Sequence, residues 1–432
     1  MRINRLHIEN FKKFRRTEQP FELHKQFTLF VGDNGSGKTS VLDALAVALG
    51  LWHKAAPGSG WRNILHEEVW LEPVRAGDRT QFEPRLPSLV TVEGRIGDRE
   101  NLKWTRMIRQ GGTRTTNAEA RKAEEAIVET VQAAKAQRAP LPVLAYYGAG
   151  RAWLPTNKRP TFRLSQRKPQ QFDAYRQCLD TRIRDQELNQ WFLLEIAATN
   201  GHGEGRPGFR AVKQAVLGCI PEADGLRYDT DLKEIVLSIQ GFEQPFYNLS
   251  AGQRMMLAMV TDIAIKAVTL NSYMLGSDHP GSRNPMYVLE KSPGVVLIDE
   301  LDVHLHPKWQ RRVATDLKRT FPKVQFVCTS HSPQVIGEVL PEEVRFLDDG
   351  RVSTPTRTFG INSDRVLDEL MRGGSSRNAE TKRKLGELAA AIDREDFSQS
   401  QRLLQEVEDI LGEQDPEVTH YRTLISFLQE TK

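Results

Sequence analysis

Residues 27–49 read FTLFVGDNGSGKTSVLDALAVAL. A short apolar run, a turn with glycines at 32, 35 and 37, and then a breaker-free apolar stretch predict strand, loop and helix in that order. GDNGSGKT fits G-x-x-x-x-G-K-[ST] in the strand-to-helix setting that this motif requires. Glycine lets successive backbone N–H groups curl around a β-phosphate at the helix start. Lys38 is expected to reach the β and γ oxygens, and the Thr39 hydroxyl to face Mg²⁺. Asn34, Gly35, Ser36, Gly37 and Ser40 complete the expected ATP-binding loop.

Working outward, GVVLIDE (294–300) and VQFVCTS (324–330) are continuous apolar runs, the pattern of strands covered on both faces of a parallel sheet. Because they lie far downstream of the phosphate loop, the α/β core must be assembled from both ends of the chain. Asp299 and Glu300 then fall at the sheet edge where ligands of open α/β sheets gather. Asp299 is expected to hold Mg²⁺ through water, and Glu300 to orient or deprotonate the attacking water. Ser330 and His331 end the next strand at the same edge, with His331 read as a γ-phosphate sensor. A second anion site is written in YNLSAGQRMMLAM (247–259), where Ser250 and Gly252 open an apolar helix.

Composition constrains little beyond a folded chain. The 432 residues are 39% hydrophobic, and 60 Lys and Arg against 56 Asp and Glu leave a formal charge of +4, so any polyanion surface must come from local clustering. Cys178, Cys219 and Cys328 form no CxxC pair, which argues against a zinc site or a disulfide framework and fits a reducing cytoplasm. The opening MRINRLHIENFKKF alternates like a strand and has no signal-peptide core, and the apolar run from 255 is too short and too charged to span a bilayer. LVTVEGRI (89–96) and LKWTRMIR (102–109) suggest an antiparallel pair, 117–137 a helix, and LPVLAYYG (141–148) a buried strand. Residues 151–172 are Pro-rich, basic and free of acids, a loop carrying Arg151, Lys158, Arg159, Arg163, Arg167 and Lys168. A helical block, a glycine-rich tip, a further helix and a strand pair follow. The last 70 or so residues read as two or three amphipathic helices, with Asp415-Pro416 a helix start.

LSAGQ at 249–253 is similar to the LSGGQ signature of ABC-type ATPases, and its place between phosphate loop and acidic strand is that family's order. The resemblance implies that Ser250, Gly252 and Gln253 contact the γ-phosphate held by a second subunit, not the chain's own. LHIENFKKF resembles the start of RecF and SMC heads, which implies that Lys12 lies near the nucleotide. DELDVHLHPKWQ (299–310) resembles the DExxxHLHP pattern of compact ATPases in the same group, which implies that Asp302 reaches across to the partner. With LPVLAYYGAGR and the helical C-terminus, the chain most resembles the PtuA family, the ATPases of Septu anti-phage systems and their retron-associated relatives. That implies an α/β, ABC-type, RecF/SMC-like head with ATP and Mg²⁺ as cofactors, self-association around ATP into larger assemblies, and a partner HNH nuclease similar to PtuB. The chain then reads as ATPase lobe I over residues 1–168, a mainly helical insertion over 169–240, lobe II over 241–360, and a helical partner-binding region over 361–432, with covering of the ATPase core as the alternative for those last helices. Ala251 departs from the usual signature glycine. No clear Q-loop glutamine is present, so the region of Tyr147, Gln166 and Gln170 are candidates.

No apolar heptad persists between Thr39 and Ser250, so the head carries no coiled-coil arm. No Toprim acidic set or HNH histidine set follows His331, so a partner would do any cutting. Asp348-Asp349-Gly350 reads as a hairpin turn, and His304 with His306 as capping residues before Pro307, with a metal pair as the alternative. A RecF-like DNA-repair ATPase, using the basic loop on phosphates, is the alternative function. A transporter ATPase fits the shared motifs but not the RecF-like start.

Overall fold

The structure is a computed structural model that describes residues 1–54, 62–76, 79–152, 170–198, 205–276, 279, 283–348, 350–367 and 378–430. The chain divides into two units, Met1–Ile361 and Asn362–Lys432.

In the first unit, five parallel strands form a sheet in the order Val143–Tyr147, Gly294–Ile298, Val324–Thr329, Phe27–Val31 and Val344–Asp348, with Arg351–Ser353 antiparallel at the edge. The first four are buried along their whole length, as their unbroken apolar runs predict. Sequence alone does not give this order. It sets Val324–Thr329 between the phosphate-loop strand and the strand that ends at Ile298, so both deliver their side chains to one edge.

A second, antiparallel sheet pairs Arg2–Phe11 with Ser88–Ile96, and that strand with Arg99–Ile108. The helix Lys38–Leu49 touches strands of both sheets and is apolar almost all round, so it is buried on nearly every side. Its last carbonyls need partners. Trp104 Nε1 donates to Ala48 O at 3.1 Å, and the fully buried Arg106 donates to Val47 O at 2.9 Å. Burial pulls the Arg106 guanidinium down to about 10. Gln325 stitches the sheets together, accepting from Ile3 N at 2.8 Å and donating to Ile3 O at 2.7 Å.

Two segments differ from the sequence reading. The expected helix at 117–137 is a strand, Thr115–Ala118, followed by a helix, Arg121–Lys135. Pairing of Ala118 with Thr105 outweighs local helix preference, and Glu119 at φ 52° breaks the chain direction between the two elements. Within and beyond 169–240, the helices Asp185–Ala197 and Pro207–Cys219 are followed by three strands, not two: Ala223–Asp229, Glu234–Ile239 and Phe242–Pro245. Val344–Asp348 and Arg351–Ser353 form the hairpin expected around Gly350.

Among its described residues the second unit has a single helical turn at Ser363–Arg365 and three longer helices, Ala379–Asp393, Phe397–Leu411 and Pro416–Glu430, the last three around a core of Leu388, Leu403, Val407, Val418 and their neighbours. Asp415 Oδ1 accepts from Glu417 N at 2.9 Å at the start of the last helix. All three cysteines are buried outside any disulfide, and burial pushes the Cys178 and Cys219 thiols up to about 12. Among the described residues no helix is long and apolar enough to cross a membrane.

Candidate functional site

The phosphate loop joins the buried strand Phe27–Val31 to the helix that begins at Lys38. Gly37 holds φ 104° at the helix cap, and a Cβ there would meet the Phe14 ring at 2.8 Å, so only glycine fits. Lys38 is folded into the loop, and its ammonium donates to the Gly32 and Asp33 carbonyls at 2.8 Å each. Burial lowers its pKa, and Asp299, Asp33, Glu300 and Asp302 oppose that shift. Ser36 Oγ is buried with no hydrogen-bond partner. An orphaned hydroxyl beside an ammonium and a left-handed glycine turn fits a loop built for an anion. Asn34 and Gly35 are exposed at the tip, and Ser40 lies one residue beyond Thr39 in the helix.

Across the edge, Thr39 Oγ1 donates to Asp299 Oδ2 at 3.0 Å. The other oxygen, Oδ1, accepts from the Thr329 hydroxyl at 2.6 Å, and Thr329 Oγ1 in turn accepts from Glu300 N at 2.7 Å. Asp299 N donates to Tyr147 O at 2.7 Å. One hydroxyl of the intervening strand thus sets both acids, and Glu300 is held at φ 49°, a left-handed conformation a non-glycine residue takes only under constraint. The hard oxygen donors of Thr39 and Asp299 suit Mg²⁺, which such sets hold with water completing the shell. Ser330 Oγ donates to Asp302 Oδ1 at 2.5 Å, and His331 follows at the same edge. Burial, and then the Lys38 ammonium, hold the His331 imidazole below its usual range and favour the neutral ring.

The signature turn is a complete capping box. Ser250 Oγ accepts from Gln253 N at 3.3 Å, and Gln253 Oε1 accepts from Ser250 N at 2.9 Å. Ser250 is exposed, and this bond uses its oxygen as an acceptor, leaving its O–H to donate. A Cβ on Gly252 would lie 2.3 Å from His304 O, so glycine lets the signature helix Ala251–Leu270 abut the turn after Asp302. Ala251 lies inside the helix, where the missing glycine leaves the cap intact.

Other expected residues have the following partners. Lys12 is committed to an acidic cluster, paired with Asp43 and, at 3.4 Å, with Glu68, while Arg62 bridges the same two acids. Its neighbour Lys13, which the sequence reading passed over, donates to the Gly35 carbonyl of the phosphate loop. Asp43 was also missed, although a lone acid in an apolar helix was a signal; it accepts from Tyr146 OH at 3.2 Å. Tyr147 OH donates to Asp262 of the signature helix at 2.6 Å. Gln170 is exposed and its backbone N–H donates to Asp173 Oδ2 at 2.7 Å, and Gln166 and the basic side chains of 151–168 lie outside the described residues. His306 Nδ1 accepts from Lys308 N at 3.3 Å and caps Pro307–Thr320.

Two domain models match the chain: an AAA domain over residues 5–198, and an AAA domain grouped with the AbiEii toxin of type IV toxin–antitoxin systems over 223–337. The chain is 31% identical to the retron Vc95 probable ATPase of Vibrio cholerae serotype O1 biovar El Tor, over 37% of its own length and 30% of that protein's. It is 23% identical to the retron Ec83 probable ATPase of Escherichia coli, over 86% of its own length and 76% of that protein's. It is 30% identical to the Septu protein PtuA of Bacillus mycoides (strain KBAB4), over 32% of its own length and 17% of that protein's. Among solved structures, an SMC head bound to the C-terminal winged-helix domain of ScpA aligns with 83% of this chain and 98% of its own, at TM-score 0.48 and 16% identity. The first AAA match contains the phosphate loop and the second contains the signature cap and the acidic strand, so the chain carries AAA domains and is similar, over the shares given, to the retron probable ATPases and to the Septu protein PtuA.

Proposed function

We propose that the chain binds and hydrolyses ATP between two copies of itself, the signature turn of one copy completing the site of the other, and that ATP state controls an associated HNH nuclease in anti-phage defence. The carrying observation is the exposed Ser250: its cap is self-contained within 250–253, and its O–H is free to donate to an anion outside its own helix. A rigid hydroxyl and a helix N-terminus make an anion site with no need to reorganise.

In this reading Lys38 leaves its two carbonyls to hold β and γ oxygens, and the buried Ser36 hydroxyl gains the partner it lacks. Thr39 and Asp299 would hold Mg²⁺, which neutralises phosphate charge when bound. Glu300, fixed by Thr329, orients the attacking water. His331, neutral, donates to the γ-phosphate, and Asp302 together with Ser250, Gly252 and Gln253 acts across the dimer. The names of the retron and Septu relatives support the defence setting. Residues 361–432, with their own core, are proposed as the nuclease-binding region.

Ser250→Arg tests the shared site. The variant should bind ATP through Lys38 while failing to dimerise and to hydrolyse, read by nucleotide binding, light scattering and phosphate release. Normal turnover by this variant would make the turn an ordinary helix cap.

A further inference from the structure

At the edge of the parallel sheet opposite the phosphate loop, a cleft of about 670 Å³ opens between the strand starts, the turn at Ile96–Arg99 and the helix Arg121–Lys135. We propose that this cleft binds a phosphorylated small molecule carrying two or three consecutive phosphates, at a site separate from the ATP site. Its volume is that of a mononucleotide-sized ligand pocket.

Topology sets the charge. Lys291, Lys323 and Lys25 each precede by one to three residues the start of three adjacent parallel strands, Gly294–Ile298, Val324–Thr329 and Phe27–Val31. All three line the cleft, and because neighbouring strands lie roughly 4.8 Å apart their backbones enter one wall in a row on the order of 10 Å long. All three lysines are exposed, and among the described residues none has a carboxylate within ion-pair distance; Lys291 rests over the Tyr287 ring. Three ammonium groups without a paired carboxylate on one wall favour a compact multiply charged anion.

The facing wall decides against a long polyanion. There Arg95 pairs with Glu100 at 3.2 Å and Asp98 at 3.8 Å, and Arg99 pairs with Glu129 at 2.5 Å. Those carboxylates would repel a nucleic-acid backbone laid across the cleft, while a short anion can sit on the lysine wall alone. The floor is preorganised, because Gln325 there is held by Ile3 and His24, so binding costs little ordering. Trp52, Pro142 and Pro293 add apolar lining suited to the uncharged part of a ligand. The strand Gly294–Ile298 runs from this wall to Asp299, a separation of roughly 16 Å at 3.3 Å per residue.

Full-length Lys38→Ala protein, whose phosphate loop is disabled, should be titrated calorimetrically with inorganic triphosphate and compared with the same chain carrying Lys25→Glu, Lys291→Glu and Lys323→Glu. We expect one site per chain, weakened at least about tenfold by the reversals and by added salt. If the reversed chain fails to fold by circular dichroism, Lys25→Gln with Lys323→Gln gives the comparison, and weaker binding is again expected. No binding by the Lys38→Ala chain, or binding that either set of substitutions leaves unchanged, overturns the proposal. So does lysine-dependent binding of a short DNA duplex that triphosphate does not displace.

Discussion

Replacing Thr329 by valine tests how the two acids are set. The side chain is fully buried, so the change keeps its shape and removes only the hydroxyl. Two bonds go with it: the donation to Asp299 Oδ1 at 2.6 Å and the acceptance from Glu300 N at 2.7 Å. A bond to a charged group contributes about 1.5–3 kcal/mol and a neutral one about 0.5–1.5, so the unfolding free energy should fall by about 2–4 kcal/mol. The left-handed turn at Glu300 also loses an anchor, and a relaxation of its backbone should lower turnover by roughly ten- to a hundredfold with ATP affinity little changed. Denaturant unfolding and steady-state phosphate release measure the two effects, with Thr329→Ser as the control that restores the hydroxyl. A valine variant as stable as wild type within about 0.5 kcal/mol, and as active, would refute this account of the site.

Lys38→Ala should abolish ATP binding in equilibrium dialysis, whereas Glu300→Gln should bind ATP, turn over little and accumulate a stable dimer; wild-type turnover would show Glu300 misassigned. Acid should destabilise the fold. Burial holds His24 below the imidazole range, and burial with Lys38 does the same for His331, so the folded chain takes up fewer protons than the unfolded one. Their stability contribution is full above about pH 6.5 and declines as pH falls below it, and a melting temperature that rises on acidification from pH 7 to 6 would contradict this. Removing residues 377–432 should leave ATPase activity intact and abolish capture of the nuclease; loss of ATP binding would instead make that segment part of the ATPase fold.

How much was legible in the sequence follows the range of the forces involved. Phe27–Val31, Gly294–Ile298 and Val324–Thr329 announce themselves as unbroken apolar runs because both faces of each strand are covered, and the loop and signature cap depend on spacing within a few residues. Strand order is a long-range property, and with it went Thr329: only once Val324–Thr329 lies beside Gly294–Ile298 does a threonine beside a cysteine become the support of Asp299 and Glu300. Lys12 and Lys13 are adjacent in sequence, but a left-handed backbone at Lys12, φ 49°, aims one at Asp43 and the other at Gly35. Thr115–Ala118 is polar and short, so its pairing with Arg99–Ile108 leaves no local periodicity to read.

The central claim is that the site is shared between two copies, and a mixing experiment addresses it most directly. Neither Ser250→Arg nor Lys38→Ala protein should hydrolyse ATP alone. Mixed, they form dimers in which the intact phosphate loop of the first faces the intact signature of the second. Because neither variant should dimerise with itself, the dimers that form are mixed and carry one good site of two, so recovery of up to about half of wild-type activity is predicted. Full activity in Ser250→Arg protein by itself, at a concentration where it remains monomeric, would contradict the claim.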